Sequence, residues 1–291
     1  MFIKLIEVPG IGLDWQSPAL IRALDQWLEE DIGRGDLTAA ALLGKRGSAH
    51  WLAKQPGRFC GGPLVQRLFE RLDPAVHVRL LKDDGASLDI GDRLLELEGS
   101  SSALVAGERT ALNLAMRLSG IATATAALVA ELQGTGVRLA DTRKTTPGLR
   151  ILEKYAVRCG GGTNHRMGLD DAAMLKENHI AWAGGITAAI AAVRGRAPWP
   201  ARVIVEAETE AQAIEAVQAG ADGVLLDEFT PEQLELLVPR LRDCSARGVV
   251  LEASGVQPDQ LPAFAATGID LISTSAPVTR SRWLDLSMRF S

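Results

Sequence analysis

From Val137 onward the hydrophobic positions fall into short uninterrupted runs, each closing on polar or charged residues: VRLADTRK, AMLKENHI, RVIVEAE, DGVLLDEF, GVVLEASG and IDLISTS. Segments with helical spacing, TEAQAIEAVQAG, TPEQLELLVPRLRD and QPDQLPAFAATG, separate the later runs. Val203, Val224, Val249 and Leu271 open successive runs 21, 25 and 22 residues apart, the repeat length of short βα units. Strands that are apolar throughout are buried on both faces, as in a parallel sheet. Their polar ends are Lys144, Lys176, Glu206, Asp227, Ser254 and Ser273. In a β/α barrel those ends converge on one rim, where barrel active sites are built. A flat doubly wound sheet is the competing arrangement.

The first third reads differently. PALIRALDQWLEEDIG has helical spacing, whereas SAHWLAKQPG, VHVRLLKDDG and DRLLELEG alternate as short strands ending in turns. SSALVAGERTALNLAMRLSGIATATAALVAELQG predicts one or two long Ala- and Leu-rich helices. PGLRILEKYAVR predicts a further helix, with Arg150, Lys154 and Arg158 on its solvated side.

Composition narrows the function classes. The chain has 291 residues, 47% of them hydrophobic and 23% charged, enough for one large domain or two ordinary ones. Its net charge of −5 argues against nucleic acid as the main partner, because such a partner needs a basic face to displace counterions. Three cysteines, Cys60, Cys159 and Cys244, form no CxxC pair, so neither a disulfide frame nor a zinc site is expected and a reducing, cytoplasmic setting fits. The opening MFIKLIEVPGIG lacks a signal-peptide pattern, and no run of about 18 uncharged apolar residues could span a bilayer.

Against this acidic background, residues 141–166, DTRKTTPGLRILEKYAVRCGGGTNHR, and MLKENH just beyond them place Arg143, Lys144, His165, Arg166 and Lys176 around glycine runs. Like charges repel, so such a cluster calls for an anion among them. Gly160, Gly161 and Gly162 let backbone N–H groups approach that anion. Arginine grips carboxylate or phosphate bidentately, and lysine acts as a point charge. Glu206 and Asp227 suit Mg²⁺, ribose hydroxyls or a developing cation. Taken singly, each residue has a plainer reading: GGG as a turn, His165 as a surface histidine, the lysines as ion-pair partners of Glu206 and Asp227. Convergence of the whole set on one rim is what favours a ligand site. Glu177 and His179 are left open as support for Lys176.

These stretches resemble the signature of the quinolinate phosphoribosyltransferases, and the likeness continues through LEEDIGRGDLT, ERTALNLAMRLSGIAT, VEAET, LLDEFTPE, EASG and the closing LDLSM. The resemblance implies an N-terminal α/β sandwich over residues 1–117, completed by the tail 276–291, and an incomplete α/β barrel over 118–275. It implies a homodimer with shared active sites, and Mg²⁺ accompanying phosphoribosyl pyrophosphate. By the family pattern Arg143, His165, Arg166 and Lys176 would hold quinolinate, with Arg109 supplied by the partner subunit. Lys144, Glu206 and Asp227 would face the phosphoribosyl donor, with Ser254, Gly255, Ser273 and Ser275 at its phosphate end. Lys144, Lys176, Glu206 and Asp227 would be the catalytic set. The reaction implied joins the pyridine nitrogen to C1 of the sugar, releasing pyrophosphate and then carbon dioxide.

The chain departs from the family pattern at the phosphate end. Ser275 and Val256 stand where glycine is usual, Glu228 where asparagine is usual, and Arg280 near a common histidine. Rival readings are a sister phosphoribosyltransferase with another acceptor, such as the molybdenum-transport-associated paralogue, a Schiff-base lyase using Lys176, and a non-catalytic polyanion binder.

Overall fold

The structure, a computed structural model, describes residues 13–245 and 247–291. The N-terminal stretch read for a signal peptide lies outside the described residues. The chain divides into two compact units, one formed by the described residues through Ala126 with Thr146–Gly161 and Arg280–Ser291, the other by Ala127–Thr145 and Gly162–Thr279.

The first unit opens with α1 (Pro18–Ile32), whose Leu20, Leu24 and Leu28 recur every fourth residue and are buried. It continues through β1 (Arg46–Ala53), β2 (Gly57–Arg58), α2 (Gly62–Leu72), β3 (His77–Leu80), β4 (Ser87–Leu88), β5 (Arg93–Ser100) and α3 (Ser101–Glu131). Strands β1, β3 and β5 join the C-terminal strand β12 (Leu286–Phe290) in an antiparallel sheet ordered β12-β1-β5-β3. In β1 the alternation of the sequence becomes alternation of faces, with Ala49, Trp51 and Ala53 buried. On α2, Leu64, Val65, Leu68 and Phe69 make the buried face.

The long Ala- and Leu-rich segment is one helix, α3. By length and composition it is apolar enough to cross a membrane, but 44% of its apolar window is buried in the protein. It packs closely against the C-terminal tail: Leu284 N–H donates to the Met116 carbonyl (3.0 Å), and a Cβ at Gly120 would stand 2.1 Å from the Arg282 carbonyl oxygen. Only glycine fits there.

Helix α4 (Arg150–Cys159) belongs to this first unit and corrects an expectation. Lys154 is fully buried and Arg150 and Arg158 are half-buried, rather than solvated. The helix is enclosed on most of its circumference, with Leu152, Glu153, Lys154, Ala156, Val157 and Cys159 all buried. A charged residue in its sequence therefore carries no information about which side faces water. Glu153, with no exposed surface, accepts from Arg117 Nη2 (2.8 Å) and Nε (3.1 Å) and from Thr146 N–H and Oγ1 (2.8 Å each).

The second unit contains β6 (Arg138–Ala140), β7 (Ala173–Leu175), α5 (Glu177–Ala183), α6 (Ile186–Arg194), β8 (Val203–Ala207), α7 (Glu210–Gln218), β9 (Gly223–Leu226), α8 (Pro231–Cys244), β10 (Val250–Ala253), α9 (Leu261–Ala265), β11 (Leu271–Ser273) and α10 (Ala276–Thr279). Its six strands pair in parallel in the order β6-β11-β10-β9-β8-β7. The first strand pairs with the last, and the others follow in descending sequence order without reversal. A doubly wound sheet reverses direction at its switch point. This sheet does not, and its order is that of a barrel opened between β6 and β7. The open edge of β6 is partly covered by Thr163, whose N–H donates to the Leu139 carbonyl (2.7 Å) and whose carbonyl accepts from Asp141 N–H (3.0 Å). The helices cover a core that includes Val205, Val224, Leu226, Leu251 and Ile272.

The strands are shorter than the apolar runs suggested, because each run spills into the polar residues that follow the sheet. The first unit takes in α4, most of α3 and the tail from Arg280, while α10 belongs to the second.

Glu153 is a buried carboxylate with a specific cation, so removing that cation leaves a charge that water cannot reach. Arg117→Met should lower the stability by about 3 kcal/mol, read from urea unfolding. An unchanged midpoint would mean that Arg117 does not neutralise Glu153.

Candidate active site

In a parallel sheet every strand delivers its C-terminal residue to the same edge. Reading along the second unit, that edge receives Asp141, Arg143 and Lys144 after β6, Lys176 after β7, Glu206 on β8, Asp227 after β9, Glu252, Ser254 and Gly255 on and after β10, and Ser273 at the end of β11. The segment bridged to β6 adds His165 and Arg166.

Asp141 is the anchor of the basic side. It is nearly fully buried, and its carboxylate accepts from His165 N–H (2.8 Å) and Asn164 Nδ2 (2.6 Å). The two loops bearing Arg143 and Arg166 are thus tied at their bases. The result is visible in the electrostatics: burial, then the nearby Arg143, pull the Arg166 guanidinium below its usual pKa, with Asp171 offsetting part of the effect. Arg166 Nη1 donates to the Ala172 carbonyl (2.9 Å). Two arginines close enough to repel one another are a suitable grip for a multiply charged anion.

His165 sits differently from a free surface cation. Its Nδ1 accepts from the Arg166 backbone N–H (2.8 Å), and its Nε2 lies 3.1 Å from Glu252 Oε2. With Nδ1 accepting, the ring is assigned as the neutral Nε2–H tautomer donating to Glu252. Both ring nitrogens are therefore engaged within the protein, and in this arrangement the histidine stiffens the turn that bears Arg166.

Glu252 is the residue that the sequence reading missed. It is buried, and its second oxygen, Oε1, has no hydrogen-bond partner among the described residues. A buried acceptor left unpaired is costly and calls for a reason. The signal was present as a single carboxylate inside the apolar run VVLEA, where a strand buried on both faces has no structural use for charge.

On the other flank, Lys176 Nζ pairs with Glu206 Oε2, and Ser254 Oγ donates to Asp227 Oδ1. The Lys176 side chain is 46% exposed whereas that of Glu206 is 13% exposed, so the lysine is the more accessible partner. His179 Nδ1 accepts the Lys176 backbone N–H (3.1 Å) and so supports the lysine; Glu177 makes no comparable bond among the described residues. The pairing of Lys176 with Glu206 that a plain structural reading allowed does occur. Lys144 does not share in it: its backbone N–H donates to Thr142 Oγ1 (3.0 Å), and its side chain pairs with no carboxylate among the described residues.

The four departures from the family pattern sit in different surroundings. Val256 is buried in the core of the second unit, so its side chain adds packing where glycine is usual. Glu228 is exposed and holds φ at 59°, the left-handed region that asparagine tolerates and glutamate does not favour, at a cost of roughly 1 kcal/mol. Ser275 opens the turn into α10, its carbonyl accepting from Val278 and Thr279 N–H (2.9 and 2.8 Å). Arg280 and Arg109 both lie in the first unit and are exposed. Gly255, at φ 74°, occupies a conformation only glycine adopts freely.

Comparisons with known proteins agree with this architecture in both units. Residues 36–119 match the N-terminal domain of quinolinate phosphoribosyl transferase and residues 121–289 its C-terminal domain. A probable carboxylating nicotinate-nucleotide pyrophosphorylase of Synechocystis is 45% identical over 268 residues, spanning 91% of this chain and 90% of the relative. The human carboxylating nicotinate-nucleotide pyrophosphorylase is 38% identical over 290 residues, 98% of this chain and 96% of that one. The crystal structure of NadC from Streptococcus pyogenes superposes with a TM-score of 0.89 at 37% identity, covering 97% of this chain and 99% of that one. With both domain patterns matched in order and relatives aligned over about nine-tenths or more of either chain, the chain belongs to the quinolinate phosphoribosyltransferase family.

Proposed function

We propose that this enzyme joins the ring nitrogen of quinolinate to C1 of phosphoribosyl pyrophosphate, releasing pyrophosphate and carbon dioxide and leaving nicotinate mononucleotide for NAD synthesis. The observation that carries the reading is one sheet edge bearing converging arginines on one flank and two strand-end carboxylates on the other. Quinolinate is a dianion, and its partner bears a monophosphate and a pyrophosphate, so the cation excess has a use.

Arg143, Arg166 and Lys176 receive the two carboxylates of quinolinate. Lys176 does so by turning from Glu206, and His165 reaches the acceptor only by giving up its bond to Glu252 or to Arg166 N–H. The pyridine nitrogen is itself the nucleophile, so no protein base is needed to begin. Bond breaking at C1 gives an oxocarbenium-like centre that the carboxylates of Glu206 and Asp227 stabilise. Lys144 meets the departing pyrophosphate, and Ser254, Gly255, Ser273 and Ser275 line the phosphate end of the sugar donor. Catalysis is positioning plus electrostatics. Loss of carbon dioxide then follows, the positive ring nitrogen stabilising the electron pair left on C2 until it takes a proton from solvent.

Glu206 and Asp227 also fit Mg²⁺: both offer hard oxygen ligands, and Glu206 Oε1 and Asp227 Oδ2 have no protein partner among the described residues. Such an ion, arriving with the donor, would neutralise pyrophosphate charge. A Schiff-base role for Lys176 is disfavoured, because such a lysine is activated by desolvation or a neighbouring cation, whereas this one is half-exposed beside a carboxylate. The enzyme works as a cytoplasmic homodimer, with Arg109 on α3 entering the partner's site; its exposure supports that placement.

Two outcomes test this account. Nicotinate lacks the 2-carboxylate, so its use would leave cations unpaired, and kcat/KM with nicotinate should fall by roughly 10³-fold or more relative to quinolinate. Comparable efficiency would remove quinolinate as the acceptor.

Arg109→Ala and Lys144→Ala should each be nearly inactive alone. Random co-refolding gives mixed dimers in half the population, each with one intact site if Arg109 acts across the dimer, so about a quarter of wild-type activity should return. A mixture as inactive as its parents, despite proven subunit exchange, would assign Arg109 to its own chain.

A further inference from the structure

Cys60 and Cys159 are 99 residues apart, and no motif links them. In the first unit they meet. Their sulfurs and a carboxylate oxygen of Asp84 lie within 4.8 Å of one another. Cys60 has no exposed surface and Cys159 is 9% exposed, so this is an interior cluster of two thiols and a carboxylate. It belongs to no part of the chemistry described above.

The cluster is held from several directions. Ser119 Oγ accepts from Cys60 N–H (2.9 Å) and lies 3.2 Å from the Cys60 carbonyl. Phe59 and Gly85 are tied by backbone bonds, Gly85 N–H to the Phe59 carbonyl (2.7 Å) and Phe59 N–H to the Ala86 carbonyl (3.0 Å), which brings Asp84 beside Cys60. Gly85, at φ 88°, lets the chain pass so close to α4 that a Cβ there would stand 3.0 Å from the Cys159 carbonyl oxygen. The Asp84 carboxylate accepts from Gly61 and Gly62 N–H at Oδ1 (2.9 Å each) and from the Tyr155 hydroxyl at Oδ2 (2.8 Å). Tyr155 is in turn held by an edge-on contact with Trp15, ring centroids 5.1 Å apart.

We propose that Cys60, Cys159 and Asp84 form a structural site for a thiophilic divalent cation of the Zn²⁺ class. Two sulfurs and one carboxylate oxygen suit a borderline-soft ion of this class. Ligating carboxylates are characteristically oriented by hydrogen bonds from behind, and Asp84 already has three. Binding displaces one proton from each thiol: M²⁺ with two thiols and one carboxylate gives the bound ion and two free protons. Because binding displaces these protons, uptake strengthens as pH rises. The plainer role of Asp84 is to cap the N-terminus of α2 through Gly61 and Gly62. Capping needs no cysteines, and it does not explain why two sulfurs converge on the same carboxylate.

The test uses the full chain carrying Cys244→Ser, which removes the exposed third thiol as a source of adventitious binding. The reduced, chelator-treated protein is refolded with Cd²⁺, gel-filtered, and measured for metal content and thiolate-to-cadmium absorption. About one Cd²⁺ per chain with that absorption is expected, falling below about a tenth of an equivalent on adding Cys159→Ala. Tyr155→Phe keeps the ligands but loses the hydroxyl behind Asp84, and should weaken affinity by roughly tenfold while leaving the absorption in place. Asp84→Asn should likewise weaken binding, which keeps the test decisive if Cys159→Ala fails to fold. Refolded Cys244→Ser protein whose remaining thiols are reduced and which takes up no Cd²⁺ would overturn the proposal. So would uptake undiminished by Cys159→Ala, or isolation of Cys60 and Cys159 as a disulfide.

Discussion

The site depends on keeping Arg143 and Arg166 near one another against their repulsion. Burial first, and then the nearby Arg143, hold the Arg166 guanidinium below its usual pKa, with Asp171 offsetting part of the effect. The buried Asp141 carboxylate takes the His165 N–H and Asn164 Nδ2 on its oxygens, fixing the second loop to the end of β6. The Thr163 bridge closes the same junction from the backbone side. Glu252 and His165 extend the network to β10, two strands away. A preorganised cation pair of this kind gains most from a ligand with two fixed negative groups, since a single carboxylate leaves part of the repulsion uncompensated.

Most of this was legible in the sequence, for a reason that is local. A strand buried on both faces has to be apolar, so each polar residue at its end marks where the sheet stops, and Lys176, Glu206, Asp227 and Ser273 were placed by that rule alone. The barrel order was legible in turn from the regular 21-to-25-residue spacing of the later runs. Pair formation was not, because it depends on contacts between residues distant in sequence. Nothing in NHR foretells that the His165 ring would spend one nitrogen on its own neighbour's N–H and the other on Glu252. Lys154 failed for a related reason: a helix enclosed on most sides has no wet face for helical periodicity to reveal. The meeting of Cys60 and Cys159 was not legible either, because spacing rules address residues on one hairpin or helix and these two come together through tertiary folding.

The chain's departures from its family are absorbed where the backbone permits. Val256 finds space in the core, and Ser275 enters through its carbonyl at a helix start, so neither disturbs the sheet edge. Glu228 is the exception, keeping a left-handed backbone directly after Asp227 without a residue suited to it. That the conformation persists with glutamate there suggests that the position of Asp227 is what the turn preserves.

The most direct measurement follows the carboxyl carbon. Quinolinate labelled at its 2-carboxylate is incubated with the enzyme, phosphoribosyl pyrophosphate and Mg²⁺, and labelled carbon dioxide is counted against pyrophosphate. The account predicts that the two appear in equal amounts with nicotinate mononucleotide, and that neither appears without the sugar donor. Pyrophosphate released without labelled carbon dioxide, or no turnover of quinolinate while both substrates bind, would contradict it.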